Sequence, residues 1–258
     1  MPRVHDYGIL LHSERHSDRL MGVMIFCENS GLIQTFLKKD RKMTQPQIYD
    51  ILHISFDYGG SYSYRNLAVE ILGDHWKNIF CSALLTNIFN YITAILNLTL
   101  KEKGRIGNLY RLYRNMLSLV DFNCSDIIYY HIDFLLNTLD FLGIRIDTTR
   151  CAVSGSTLDI YYISPRTGNC VSATVGEKYK HHLFTIPKSF CRYCENVADI
   201  LSALDILHHF LFKIVAENNN IAEFSTVEMF REIIKDEICR DYQRRGECHD
   251  LSRPCHRP

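Results

Sequence analysis

The hydrophobic pattern of the first 72 residues is typical of β-structure. Short apolar runs are separated by turn signals, of which Glu28-Asn29-Ser30-Gly31 and Gly59-Gly60 are the clearest. The predicted strands occupy residues 7–12, 20–27, 32–37, 48–56 and 62–72. Five short strands in so short a segment are typical of a small barrel, and the OB-fold is the five-stranded case.

The pattern changes at Gly73, after which apolar residues recur at helical spacing. Gly143 suits the end of a helix, and Ser225 to Glu228 has the form of a capping box that opens one. The predicted helices occupy residues 76–100, 109–120, 127–142 and 197–216, with a fifth beginning at 225.

The sequence therefore predicts an α+β protein in which an N-terminal five-stranded OB-fold barrel precedes a mainly α-helical domain. The predicted domains are residues 1–73 and 74–240, and a small β-knuckle at about 148–176 is inserted in the second domain. Residues 241–258 form a basic tail with little apolar content, which we expect to be disordered.

Composition adds little to this picture. Of the 258 residues 47% are hydrophobic, and 29 Lys and Arg balance 29 Asp and Glu, so that a nucleic-acid-binding protein would have to use local basic patches. The N-terminus lacks a secretory apolar region, and no apolar run is long enough to span a membrane. Ten scattered cysteines form no disulfide framework, so we predict a cytoplasmic protein with reduced thiols.

The inserted hairpin has the outline of a metal knuckle, with Cys151 beside a turn and Cys170 after the next turn. A structural zinc site needs four ligands, normally from two C-x-x-C pairs, but the position three residues after Cys151 is Ser154. The hairpin is therefore a degenerate knuckle or an ordinary hairpin, unless Cys191 and Cys194 complete a set of four sulfurs with Cys151 and Cys170.

Two basic stretches are candidate nucleic-acid contacts. The loop after the third predicted strand contains Lys38, Lys39, Arg41 and Lys42, and Arg15 and Arg19 lie in the loop between the first two strands. On an OB-fold such loops follow a phosphate backbone while aromatic residues stack on bases. The alternative interpretation is a solvated turn that keeps the domain soluble, and Arg15 and Arg19 also lie near Glu14 and Asp18.

The second basic stretch lies within the helical half, and it suits either DNA phosphates or the acidic tail of a protein partner. A solvated helix start is an equally good explanation. Its members are Lys101, Lys103, Arg105, Arg111 and Arg114. Tyr62 and Tyr64 share one face of a strand and could stack on bases, although half-buried sheet tyrosines are more common.

Signatures of catalysis are missing from the sequence. GxxxxGK[ST], HExxH, GxSxG and GxGxxG do not occur, and we expect no catalytic residues, no cofactor and no enzymatic activity.

Two segments together resemble the RecO family of recombination mediators. They are GILLHSERHSDRLMGVMIFCENSGLIQTFLKKDRK near the N-terminus and FLLNTLDFLGIRIDTTRCAVSGSTLDIYYISPRTGNCVS around the knuckle. The resemblance covers roughly the first 235 residues in order. The residues that match the knuckle motif of the family are Leu139, Leu142, Gly143, Cys151, Ala152, Gly155, Ser164, Pro165 and Gly168.

This resemblance implies a cytoplasmic, nucleoid-associated protein that binds single- and double-stranded DNA and anneals complementary strands. Its implied partners are RecR, the C-terminal tail of single-strand-binding protein and, indirectly, RecA, with no membrane partner. The sequence departs from metal-binding members of the family at Ser154, Ser172 and Val175, where they carry cysteines, so we expect no bound metal. An alternative is a protein–protein adaptor whose OB-fold no longer binds DNA.

Overall fold

The computed structural model describes residues 3–39, 44–58, 64–100, 106–119, 124–191, 196–217 and 221–244. The chain forms two compact units, Met1–Ile127 and Ile128–Pro258. The predicted boundary after residue 73 marks the change from strands to helices, and the first three helices belong to the same unit as the sheet.

The first unit contains a five-stranded antiparallel sheet, as the hydrophobic pattern predicts. Its strands are β1 (Arg3–Arg15), β2 (Leu20–Cys27), β3 (Gly31–Lys38), β4 (Ile51–Tyr58) and β5 (Tyr64–Gly73), in the order β3-β2-β1-β4-β5. The predicted α+β class, with an N-terminal five-stranded sheet followed by helices, is confirmed. Among the described residues no ladder joins β3 to β5, so the sheet is not closed into a barrel there. The edge strands meet near Tyr64, where the Thr35 hydroxyl donates to the Tyr64 carbonyl at 3.1 Å in place of a peptide ladder.

The inner face of the sheet forms a hydrophobic core because side chains alternate between the two faces of each strand. Its buried members are Leu10, Met21, Val23, Ile25, Cys27, Ile33, Leu37, Leu52, Ile54, Phe56 and Leu67. Part of the outer face is covered by helices, where Phe26 contacts Tyr110 and Tyr113 and Tyr49 contacts Phe89. The rest of the outer face is open to solvent. It includes Phe36 on β3, His5 and Tyr7 on β1, and His53 on β4.

The sheet of the first unit is followed by three helices: α1 (Trp76–Phe80), α2 (Ala83–Thr99) and α3 (Gly107–Leu119). The single helix predicted over residues 76–100 is therefore two helices. The chain breaks at Cys81 and Ser82 because Ser82 is the N-cap of α2, and its hydroxyl oxygen accepts the Leu85 N–H at 3.3 Å.

The second unit contains the knuckle and the long helices. After α4 (Cys124–Phe141) come β6 (Ile160–Ile163), β7 (Cys170–Ser172), α5 (Ala173–Gly176) and β8 (Phe184–Thr185), and the three strands form a small sheet in the order β7-β6-β8. Helices α6 (Val197–Glu217) and α7 (Ile221–Arg244) follow. They are joined by Asp205, which accepts from Arg231 at 3.3 Å and from Lys235 at 2.9 Å.

Helix α7 differs from its prediction at both ends. It begins at Ile221 and not at Ser225, whose hydroxyl donates to the Ala222 carbonyl at 2.9 Å within the helix. The predicted capping box is therefore wrong, because the preceding turn is already helical. The helix continues to Arg244, into the segment predicted to be a tail, and residues 245–258 lie outside the described residues.

In the described ranges, helices that combine the length and the apolar character needed to cross a membrane are absent.

Candidate nucleic-acid interface

The β1–β2 loop and the end of β3 lie side by side. Lys38 is paired with Leu20 across the β2–β3 ladder, and the Lys39 N–H donates to the Arg19 carbonyl at 2.9 Å. These contacts bring Arg19, Lys38 and Lys39 together, although Arg19 is about twenty residues away in sequence. We call these three residues the basic cluster.

Arg15 lies near the basic cluster but is partly neutralised. Its guanidinium bonds to Asp18 within the same loop, and both side chains are largely exposed. An exposed pair of this kind contributes about 0–1 kcal/mol, so a phosphate can replace Asp18 as the partner of Arg15 at little cost. Arg15 is therefore an available cation at the margin of the basic cluster.

An aromatic pair beside the basic cluster was missed by the sequence analysis. The rings of His16 and Phe36 lie 4.6 Å apart at an interplanar angle of 47°, and Phe36 is 51% exposed. Phe36 lies opposite Gly22, where a side chain would come within 3.1 Å of Glu14. The alternation of side chains along β3 could have predicted Phe36. Its neighbours Thr35 and Leu37 point to the inner face, so the large apolar side chain of Phe36 points outward.

Of the other residues predicted to contact nucleic acid, some are exposed, one is half-buried, and several lie outside the described residues. Arg111 and Arg114 are exposed on α3, whereas the neighbouring Tyr110 and Tyr113 are buried. Tyr64 is half-buried and packs edge-on against Phe56 at 5.1 Å, so it is not an exposed stacking surface. The predicted residues that lie outside the described residues are Arg41, Lys42, Tyr62, Lys101, Lys103 and Arg105.

In the knuckle of the second unit, the pKa values of the two cysteine thiols are shifted in opposite directions. The Cys151 sulfur accepts the Ser154 N–H at 3.4 Å, and hydrogen bonds from the Ser154 hydroxyl and N–H lower the pKa of the Cys151 thiol to about 6. Burial raises the pKa of Cys170 to about 12. The Cys151 side chain has no exposed surface, and the N–H groups of Val153 and Ser172 add to the hydrogen bonds that lower its pKa.

The knuckle by itself does not supply the four ligands of a structural zinc ion. Ser154 occupies the position of a second thiolate and hydrogen-bonds to the first one instead. Cys191 bonds to Thr148 at 3.4 Å, and Cys194 lies outside the described residues. Within the part of the chain that the structure describes, no three His, Cys, Asp or Glu side chains are grouped so as to hold a metal ion.

Comparison with known proteins identifies the family. Residues 86–212 match the family model described as Recombination protein O C terminal. The DNA repair protein RecO of Ehrlichia chaffeensis is 27% identical over 244 residues, which cover 90% of this chain and 97% of the relative. The chain belongs to the RecO family.

Two further RecO relatives support this assignment over most of the chain. DNA repair protein RecO of Orientia tsutsugamushi is 28% identical over 225 residues, or 81% of this chain and 89% of the relative. The protein of the same name from Rickettsia canadensis is 24% identical over 227 residues, or 85% of this chain and 92% of the relative.

The matched family model covers a different part of this RecO family member from the candidate interface. It begins within α2 and ends within α6, so it includes the knuckle. The basic cluster and the rings of His16 and Phe36 precede it in the chain. The case for the candidate interface therefore rests on the geometry of the sheet.

Proposed function

We propose that this RecO family member is a DNA repair protein that acts in recombination without catalysing a reaction. It binds single- and double-stranded DNA, anneals complementary strands and, with RecR, helps load RecA onto DNA coated by single-strand-binding protein. The observation that carries the DNA-binding part is the basic cluster of Arg19, Lys38 and Lys39 beside the exposed rings of His16 and Phe36. The named partners rest on the family resemblance.

The basic cluster and the rings have complementary roles in this proposal. Cations that neutralise phosphates release condensed counterions, which drives binding of any sequence. Exposed rings stack on unpaired bases and favour single strands. Annealing needs no bond chemistry, because it requires only that two polyanions approach with their charge neutralised and that the duplex is then released.

The exposed arginines of α3 supply a second basic surface. The side chains of Arg111 and Arg114 are exposed, and they belong to the same stretch of sequence as Lys101, Lys103 and Arg105. Guanidinium groups form strong charge-assisted hydrogen bonds with carboxylates and with phosphates. This surface therefore binds either DNA or the acidic C-terminal tail of single-strand-binding protein.

A second candidate function is a protein–protein adaptor that does not bind DNA. Two observations favour it: the chain has no net charge, and Arg15 is paired with Asp18. The adaptor would use the same folded units but would show no salt-dependent affinity for DNA.

A charge-removal experiment tests the proposed function. Arg19→Ala, Lys38→Ala and Lys39→Ala are combined, and binding to single strands of several sequences is measured over a range of salt concentrations. Affinity should fall about equally for every sequence, because phosphate contacts carry no base information. The salt slope should flatten by about 0.7 for each lost contact, and strand annealing should fall in parallel.

The matched control removes the same charges from the second unit. Arg150, Lys178 and Lys188 are also one arginine and two lysines on the surface, and their replacement by Ala should leave affinity and salt slope unchanged. Wild-type protein without measurable DNA affinity would establish the adaptor function. Unchanged affinity in the basic-cluster variant would show that DNA binds elsewhere.

A further inference from the structure

A second group of exposed rings lies near the other end of β1. His5 and Tyr7 are two positions apart on this strand, and His53 is the partner of Tyr7 on β4. The His5 and His53 rings are nearly parallel, at 16° with centroids 5.5 Å apart, and the Tyr7 ring lies 5.6 Å from His53 at 48°. We call these three residues the histidine–tyrosine face.

The alternation of β1 sets this face apart from the core. Val4 and Asp6 point to the inner side of the sheet, so His5 and Tyr7 point outward. His5 is exposed, Tyr7 is 46% exposed and His53 is partly exposed. A stacked pair uses one face of each ring, so the other face of the exposed His5 ring is left for a further stacking partner.

The surroundings of the face are polar. Arg3 donates to the Ser55 hydroxyl at 3.0 and 3.2 Å, which holds the guanidinium on the same side of the sheet. On β5, a Glu70 carboxylate oxygen lies 3.5 Å from His53 Nδ1. A partner that binds here therefore needs flat rings and polar edges more than it needs aliphatic side chains.

We propose that the histidine–tyrosine face stacks unpaired bases of single-stranded nucleic acid. A nucleobase has both required properties, since it combines a π-face for stacking with donors and acceptors at its edge. An apolar protein segment would have to cover Arg3 and Glu70, which costs free energy unless each gains a partner. This inference rests on the proposed DNA binding and adds a second contact surface to it.

The face is separate from the candidate interface. His5 and His16 are eleven residues apart, and an extended strand rises about 3.3 Å per residue, so the chain between them spans up to roughly 36 Å. Between them the outer residue Ile9 is fully buried. The two aromatic surfaces therefore make independent contributions to single-strand binding.

The test replaces the face in the full-length chain. His5→Ala, Tyr7→Ala and His53→Ala are combined, and an oligothymidylate within the site size of one OB-fold, about 4–16 nucleotides, is the probe. Loss of one stacked base should weaken binding at least about fivefold. The salt slope and the affinity for duplex DNA should not change, because no phosphate contact is removed and duplex bases are already stacked.

Three controls separate stacking from other effects. An abasic oligonucleotide of the same length should bind the wild-type protein and the variant equally. Replacement of the three residues by Phe should restore affinity for oligothymidylate, because the rings return without their polar atoms. Phe80→Ala removes an exposed ring of α1, 47% exposed, and should leave binding unchanged.

The outcomes distinguish this inference from the proposed function. Wild-type binding that persists unchanged in the alanine variant overturns the stacking role and leaves DNA binding intact. An equal loss for oligothymidylate, duplex and abasic strand also overturns it, because the face would then act through charge or folding. If wild-type protein binds no single strand, both proposals fail. If the triple variant does not fold, Tyr7→Ala alone and the Phe variant decide the question.

Discussion

At the scale of single residues, the buried carboxylate of Asp6 organises the β2–β3 turn. Asp6 is 3% exposed, and its carboxylate accepts hydrogen bonds from five donor groups that belong to three residues. The donors are the N–H groups of Tyr7, Asn29 and Ser30, the Asn29 amide and the Ser30 hydroxyl, at distances of 2.7 to 3.2 Å. The turn that joins β2 to β3 is therefore held from the neighbouring strand β1.

Asp6→Ala should destabilise the fold strongly. It leaves several part-buried donors of the turn without an acceptor, and we expect the free energy of unfolding to fall by about 2–4 kcal/mol. Urea denaturation of the variant measures this loss. Asp18→Ala is the matched control, since Asp18 is 85% exposed and its removal should change the free energy by less than about 0.5 kcal/mol. Similar values for the two variants would contradict the role of Asp6.

At the same scale, a buried histidine makes stability depend on pH. Burial, and then the charge of Arg231, lowers the pKa of His208 to about 4. The other groups facing it include Asp205, Lys235 and the ring of Phe224, whose centroid is 4.8 Å away. The folded protein therefore keeps this imidazole neutral at a pH at which the unfolded chain binds a proton.

The pH dependence has a definite sign. The unfolded chain protonates histidine below about pH 6.5, whereas the folded protein does so only near pH 4, so stability falls as the pH drops between these values. We expect His208 to account for about 2 kcal/mol of loss between pH 7 and pH 5. In urea denaturation at both values, His208→Gln should remove this part, while exposed His182→Gln should not. A pH dependence that is the same in both variants would exclude His208 as its source.

At the scale of elements, Ser82 and Ser225 have different structural roles. Ser82 caps α2 through its contact with the Leu85 N–H, whereas Ser225 lies inside α7 and bonds back to Ala222. A serine followed three residues later by a glutamate is a strong cap signal, yet at Ser225 the chain is helical from Ile221. The start of a helix thus depends on the backbone that precedes the cap as well as on the cap itself.

Alanine substitutions distinguish the two serines. Ser82→Ala removes an N-cap and should lower the free energy of unfolding by about 1 kcal/mol. Ser225→Ala should change it by less than about 0.5 kcal/mol, because serine in a helix interior competes with the backbone and alanine has the higher propensity. The comparison uses denaturant unfolding of both variants at one pH. A larger loss at Ser225 than at Ser82 would restore the predicted capping box.

At the scale of the whole molecule, the candidate contact surfaces and the knuckle belong to different units. The basic cluster and the two aromatic surfaces lie on the sheet, and the knuckle of the second unit retains its turns through backbone bonds. Cys151 N–H donates to Ser156 and Ala152 N–H donates to Cys170, both at 2.8 Å. The hairpin therefore has hydrogen bonds of its own that do not involve a metal ion.

We expect the purified chain to lack stoichiometric zinc and to show no ATPase or nuclease turnover. A zinc site needs four ligands, and Ser154 replaces one of them. Elemental analysis and turnover assays on the folded protein measure both properties. About one zinc per chain, lost together with folding in Cys151→Ser, would contradict the first expectation. Turnover abolished by one point mutation in this chain would contradict the second.

The sequence by itself determined the order and type of most elements. The periods of strands and helices are local properties, so β2 (Leu20–Cys27) and α6 (Val197–Glu217) follow closely from their apolar patterns. The same is true of the missing knuckle ligand at Ser154, because it depends only on which residue occupies one position.

Only the tertiary structure decided which distant residues meet. Pairing between strands joins Tyr7 to His53 and brings Lys39 beside Arg19, and a register shift of one residue would turn these side chains to the other face. Register and sheet closure depend on the packing of all five strands at once, which no local pattern contains. The exposed ring of Phe36 became a candidate contact only when β3 was placed beside the β1–β2 loop.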